Sequence, residues 1–137
     1  MKREIIITND GSSSIYVPEL NETYHSKNGA IQEAYHVFIN AGFSQINKNS
    51  INILEIGFGT GLNAFITYLE AKKTNTQINY FGVEAFPVSQ QEIKNLNYVQ
   101  ELNVKSEKDV FYLMHDLDWD IQNEISPQFK ITKRKQL

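Results

Sequence analysis

The sequence predicts an α/β fold, and three observations predict it. A compact apolar run at 51–56 reads as a buried strand, and a glycine-rich loop, Gly57 to Gly61, follows it directly. Leu62, Phe65, Ile66 and Leu69 then recur at helical spacing and stop near Lys72-Lys73, where basic residues suit a helix C-terminus. A second apolar run, 78–83, ends on Glu84 and completes a strand–loop–helix–strand unit of the kind that builds parallel sheets.

The flanking elements follow from the same patterns. Residues 4–8 are rich in isoleucine, Asn9-Asp10-Gly11 is a turn signal, and 14–17 resumes an extended run, so the chain opens with a hairpin. Ile31, Ala34, Tyr35, Phe38 and Ile39 give a helix over 29–41. Past Glu84, Pro87 interrupts the chain before a helix over 90–102. Residues 107–116 read either as a helix through Val110, Phe111 and Met114 or as a strand over 110–114. Ser126-Pro127 is a break, and 129–132 alternates as a strand does.

Composition narrows the function classes. At 137 residues with 41% hydrophobic content, the chain is long enough for one domain with a packed core. The net charge of −3 supplies no global field for nucleic acid, so any RNA contact must be local. Cysteine is absent, which removes disulfides, thiolate metal sites and a Cys nucleophile. No apolar run is long enough for a signal peptide or a membrane span, and the expectation is a soluble cytoplasmic protein.

The loop Glu55-Ile56-Gly57-Phe58-Gly59-Thr60-Gly61 carries the chemistry. Glycines allow a tight turn and let a ligand approach the backbone, while the helix starting near Leu62 points its free amides at the same crevice. A dinucleotide site wants G-x-G-x-x-G, which this spacing does not give. An acid before the first glycine is awkward beside a pyrophosphate, but Glu55 can accept from the cationic amino group of a methionine moiety. Glu84, at the end of the next strand, can take two ribose hydroxyls. The two acids point to S-adenosylmethionine. The alternative is a glycine-rich connector with both acids merely solvated.

Several segments agree in order with a known family. Asp10-Gly11-Ser12, Tyr24-His25-Ser26 with Gly29-Ala30 and Glu33, His36-Val37-Phe38, the loop with Leu62-Asn63, and Gly82-Val83-Glu84-Ala85-Phe86-Pro87 resemble the methyltransferase module of the tRNA 5-methylaminomethyl-2-thiouridine biosynthesis proteins. The resemblance implies methyl transfer from S-adenosylmethionine to the amine of 5-aminomethyl-uridine, or its 2-thio form, at the tRNA wobble position. It implies cofactor binding by Glu55, Gly57, Phe58, Gly59, Gly61, Asn63, Glu84 and Ala85, with Tyr24, His25, Ser26 and Glu33 near the methyl pocket. It leaves the catalytic residues unassigned and requires no metal. Some members fuse this module to a flavin-dependent oxidase, which here would be a separate partner.

The family fold is Rossmann-like with strand order 3-2-1-4-5-7-6, and this chain stops at Leu137, in or just after the third strand. The expectation is one partial domain over 1–137: an N-terminal hairpin and helix (1–50), then the cofactor-binding half of a class I methyltransferase fold (51–137), ending before strand four. The strand at 51–56 would then have an open edge, which a dimer would cover. Three functions stay open: a tRNA methyltransferase, an S-adenosylmethionine-binding fragment inactive alone, and a methyltransferase for a non-RNA substrate.

The remaining candidates have plain readings beside the functional ones. Tyr24, His25 and Ser26 either line the pocket or pack a loop and cap the helix, and Glu33 either faces the pocket or is solvated. His115 with Asp116, Asp118 and Asp120 lacks the compact loop of a calcium site. Lys130, Lys133, Arg134 and Lys135 either touch tRNA phosphates or are solvated lysines on a strand.

Overall fold

In the computed structural model, which describes residues 1–136, the Asn9-Asp10-Gly11 turn closes an antiparallel hairpin of β1 (Glu4–Ile7) and β2 (Ser13–Val17). A two-residue strand that the sequence pattern does not signal, β3 (Glu22–Thr23), adds to its far side. The turn also starts the first helix, α1 (Ala30–Glu33). Thr8 Oγ1 accepts from the Ala30 amide, Ser12 Oγ from Ile31, and Asp10 Oδ2 from Gln32. Each such cap stabilises a helix start by about 1 kcal/mol. Helical structure over 29–41 is as expected, but from Ala34 to Asn40 the turns widen to π-helical.

The second sheet has the order β4-β5-β7-β6. Strands β4 (Ser50–Ile56), β5 (Gln77–Glu84) and β7 (Phe129–Lys135) are parallel, and β4 is joined to β5 through α2 (Leu62–Thr74). Strand β6 (Gln122–Ser126), which the sequence pattern does not signal either, folds back antiparallel on β7 across the Pro127 turn. The expected helix over 90–102 is instead two short helices, α3 (Gln90–Lys94) and α4 (Tyr98–Glu101). Asn97 breaks it: its Oδ1 accepts from the Ser13 amide at 2.7 Å and its Nδ2 donates to the Gly11 carbonyl at 2.9 Å. These tertiary bonds to the hairpin outweigh local helical preference. The open choice at 107–116 resolves as a helix, α5 (Lys108–Asp116).

One face of the sheet holds the core. Tyr80 and Phe129 stack at 5.9 Å, Phe129 meets Tyr68 of α2 at 5.6 Å, and Phe65 of α2 meets Phe111 of α5 at 5.2 Å, all buried. The other face is bare along β4. The apolar run 51–56 predicts a fully buried strand, but only alternate residues point into the core, and Leu54 and Ile56 are 64% and 76% exposed. The physical reason is that only one face of the sheet is covered: on the face of Leu54 and Ile56 the neighbouring residues of β5, Asn79, Phe81 and Val83, are not buried either. Strand β4 is also the edge strand, with β5 on one side and no strand on the other among the described residues. Among those residues no helix is long and apolar enough to cross a membrane.

Candidate functional site

The carboxyl ends of β4, β5 and β7 lie side by side, at Ile56, Glu84 and Lys135. This is where open α/β sheets present a crevice. The loop from Gly57 to Gly61 lies across these ends and is tied down at each step. Gly57 and Phe58 amides both donate to the Val83 carbonyl, at 2.8 and 3.0 Å. The Gly59 amide donates to Glu84 Oε1 at 2.6 Å, and the Phe86 amide donates to Oε2 of the same carboxylate at 3.0 Å. Gly57 has φ +88°, and a Cβ there would meet nothing within 4 Å, so the loop's open side is free for a ligand. Gly61, at φ +75°, begins α2, whose first amides have no side-chain cap.

In front of the loop is a cavity of about 560 Å³, within the range of small-molecule sites. Its lining includes Glu55, Gly57, Phe58, Gly59, Asn63 and Glu84 from the predicted cofactor set, and Tyr24, His25 and Glu33 from the predicted pocket set. Three predicted residues do not line it. Ala85 lines a neighbouring cavity of about 690 Å³ together with Phe86, Pro87, Arg3 and Lys135, and Tyr24 borders both cavities. Ser26 instead lines a neighbouring surface groove with Gln32 and Glu33, and its amide donates to Glu33 Oε1 at 3.2 Å. Gly61 lies behind the lining, where a Cβ would meet His115 Nε2 at 2.9 Å. Phe38, Leu54, Ile56 and Thr60 also line the first cavity; Ile56 and Thr60 are variable positions of the glycine motif and Phe38 ends the His36-Val37-Phe38 segment, so a signal for these three is present, while Leu54 carries none.

Glu55 is the electrostatic centre. It is 7% exposed, and its oxygens accept from the Tyr80 hydroxyl at 2.7 Å and from Asn63 Nδ2 at 2.8 Å. Burial pushes its pKa up to about 7; the bonds from Tyr80 and Asn63 oppose the rise, and the charge on Glu84 adds to it. Asn63 Oδ1 is buried without a partner, so this corner holds an unused acceptor beside a carboxylate short of positive charge. Across the cavity, His25 Nδ1 is 3.4 Å from Glu33 Oε1, and burial lowers the His25 pKa against the pull of that carboxylate.

Behind the loop, three residues outside the predicted set meet. His115 Nε2 is 2.9 Å from the Thr60 carbonyl, and burial takes the His115 pKa down to about 4. A carbonyl only accepts, so Nε2 carries the proton. Lys133 Nζ donates to the His115 carbonyl at 2.7 Å and lies 4.6 Å from the centre of the Trp119 ring. Lys133 is 2% exposed, so the basic run is not one surface cluster: strand alternation sends Lys133 into the core and leaves Lys130 and Arg134 exposed on the other face, while Lys135 is exposed as the last residue of the strand. No group of three or more His, Asp or Glu among the described residues could hold a metal.

No family model matches the chain. It is 33% identical over 109 residues to the tRNA 5-methylaminomethyl-2-thiouridine biosynthesis bifunctional protein MnmC of Leptospira interrogans, covering 72% of this chain and 16% of that protein. Against MnmC of Cupriavidus metallidurans it is 30% identical over 101 residues, covering 69% and 15%. Against that of Campylobacter fetus it is 31% identical over 83 residues, covering 60% and 13%. The chain therefore spans 13–16% of the length of these relatives. In fold it is similar to the crystal structure of MNMC2 from Aquifex aeolicus, with a TM-score of 0.70 at 20% identity over 98% of this chain and 43% of that one. These relatives and the shared fold together support an MnmC-like module in this chain.

Proposed function

We propose that the two adjoining cavities hold S-adenosylmethionine and that the chain serves methyl transfer to the primary amine of 5-aminomethyl-uridine, or its 2-thio form, in tRNA. The observation that carries the reading is the corner of Glu55 and Asn63: a buried carboxylate with an orphaned amide oxygen beside it suits an ammonium group, which needs several acceptors. The free amides at the start of α2 suit the carboxylate of the same methionine moiety. Glu84 would accept ribose hydroxyls with the lone pairs left over from Gly59 and Phe86, and Ala85 and Phe86 offer an apolar wall for the base. When bound, the cofactor supplies an electrophilic methyl group on a sulfonium.

The chain's own work is then positioning and proton handling. An amine attacks only when unprotonated, and we assign the His25–Glu33 pair to accept its proton. Tyr24 stands against the loop, 3.2 Å from where a Cβ on Gly59 would lie, and separates the two cavities.

A second reading, a cofactor-binding unit that needs a partner for turnover, is favoured by one observation: the open edge of β4 and the exposed Leu54 and Ile56 border the cavity. A second copy covering that edge belongs to this reading, as does a separate flavin-dependent oxidase acting on the same nucleoside. The test is transfer of labelled methyl from S-adenosylmethionine into tRNA that carries 5-aminomethyl-uridine. Incorporation supports the first reading, cofactor binding without turnover supports the second, and methylation of another amine in place of tRNA would move the substrate outside RNA.

A further inference from the structure

The residues behind the loop lie outside the cofactor set, yet His115 contacts the loop directly. His115, at the end of α5, reaches 55 positions back along the chain to the Thr60 carbonyl. Its ring is wedged between Phe58 of the loop, at 5.8 Å, and Phe111, at 5.0 Å. The ring also fills the space that a side chain at residue 61 would need, which ties the third glycine of the loop to this histidine. Lys133 in turn holds the His115 carbonyl, one of the last carbonyls of α5, which have no intrahelical donor. A small cavity of about 150 Å³, lined by Phe58, Gly59, Glu84, His115, Trp119 and Lys133, lies here against the loop.

We propose that His115, anchored through its own carbonyl by Lys133, is a positioning residue that sets the conformation of the glycine loop. By drawing the Thr60 carbonyl back to Nε2–H, it turns that oxygen away from the ligand cavity, which Thr60 itself lines, and fixes the peptide from which α2 starts. The negative end of that peptide is thereby kept from a ligand carboxylate held at the α2 amides. The hydrogen-bond donor, not the bulk of the ring, is the active feature, so an amide reaching the same place should replace it. The effect on ligand binding rests on the S-adenosylmethionine reading above, while the effect on the loop does not.

The experiment compares His115→Gln, which keeps a donor at the end of its side chain, with His115→Leu, which does not. Amide hydrogen exchange at Gly59 and Gly61 is measured on the free protein, and the affinity for S-adenosylhomocysteine is measured by calorimetry. Loss of the bond should speed exchange at these amides about tenfold in His115→Leu, with β4 and β5 unchanged, and His115→Gln should stay within about twofold of wild type. Affinity should fall about tenfold in His115→Leu and recover in His115→Gln. Loop exchange that is the same in all three proteins would overturn the proposal even if the ligand binds. Exchange that rises equally along β4 and β5 would overturn it too, by making His115 a general core residue. Selective loop loosening in His115→Leu, together with a wild-type protein that binds no ligand, would uphold the positioning role and defeat the cofactor reading.

Discussion

Tyr80 donates its hydroxyl to Glu55 across neighbouring strands at 2.7 Å, and this bond does not suffice to keep the carboxylate at its ordinary pKa. With the Glu55 pKa raised to about 7, mainly by burial, the acid is half protonated near neutrality. A cationic ligand must find it ionised. Binding of S-adenosylmethionine should therefore release a proton below pH 7, and affinity should fall by up to about tenfold per pH unit below that point. Calorimetry in two buffers of different ionisation enthalpy measures the released proton. Its absence would show that Glu55 does not face the cation.

Two buried groups pull stability in opposite directions with pH. For Glu55 the folded pKa, about 7, lies above its ordinary 4.5. The folded state therefore holds the proton longer, and stability falls as pH rises between those values. For His115 the folded pKa, about 4, lies below its ordinary 6.5. The unfolded state takes the proton first, and stability is lost as pH falls through that window. Each effect is on the order of 3 kcal/mol. Thermal melts should show Glu55→Gln gaining on wild type as pH rises from 4.5 to 7, and His115→Gln gaining on wild type as pH falls from 6.5 to 4. Parallel curves would contradict both assignments.

Gly61 carries two constraints at once: φ is +75°, and the His115 ring lies 2.9 Å from where an alanine methyl would stand. Gly61→Ala should cost about 2–3 kcal/mol in a denaturation experiment. In a His115→Ala background the closest steric contact is removed, leaving Phe58 Cε2 at 3.3 Å, and the cost should drop to about 1 kcal/mol. Equal costs in the two backgrounds would show that the ring yields freely.

Leu54 is 64% exposed on a strand whose outer edge carries no Pro, Lys or bulge. If a second copy covers this edge, sedimentation velocity should show concentration-dependent association of the wild type that Leu54→Lys weakens, at a cost to stability within about 0.5 kcal/mol. A wild type that stays monomeric at every concentration would remove the dimer from the account.

The parts of this molecule that are legible in the sequence are those governed by local rules. Asn9-Asp10-Gly11 specifies its turn, the glycines at 57, 59 and 61 specify a left-handed loop, and Glu55 and Glu84 stand beside it because strands end there. What the sequence hid is long-range. Asn97 breaks a helix because Ser13 and Gly11 need its side chain, 84 and 86 positions away. Tyr80 reaches Glu55 because the parallel register sets Glu55 opposite Gly82, which has no side chain to block the approach from two residues earlier on the same face. Lys133 reads as part of a basic surface run, but the strand alternation of β7 places it beneath Trp119. Ser26 joins the predicted pocket only by adjacency to Tyr24 and His25, and it lines the neighbouring groove instead.

The most direct test of the central claim is calorimetric titration of the wild-type chain and of Glu55→Gln with S-adenosylmethionine at pH 8, where Glu55 is ionised. The account predicts saturable binding by the wild type and affinity at least about tenfold weaker in the variant, with its fold retained. A folded wild type that takes up no S-adenosylmethionine, or a variant that binds it equally well, would contradict the account.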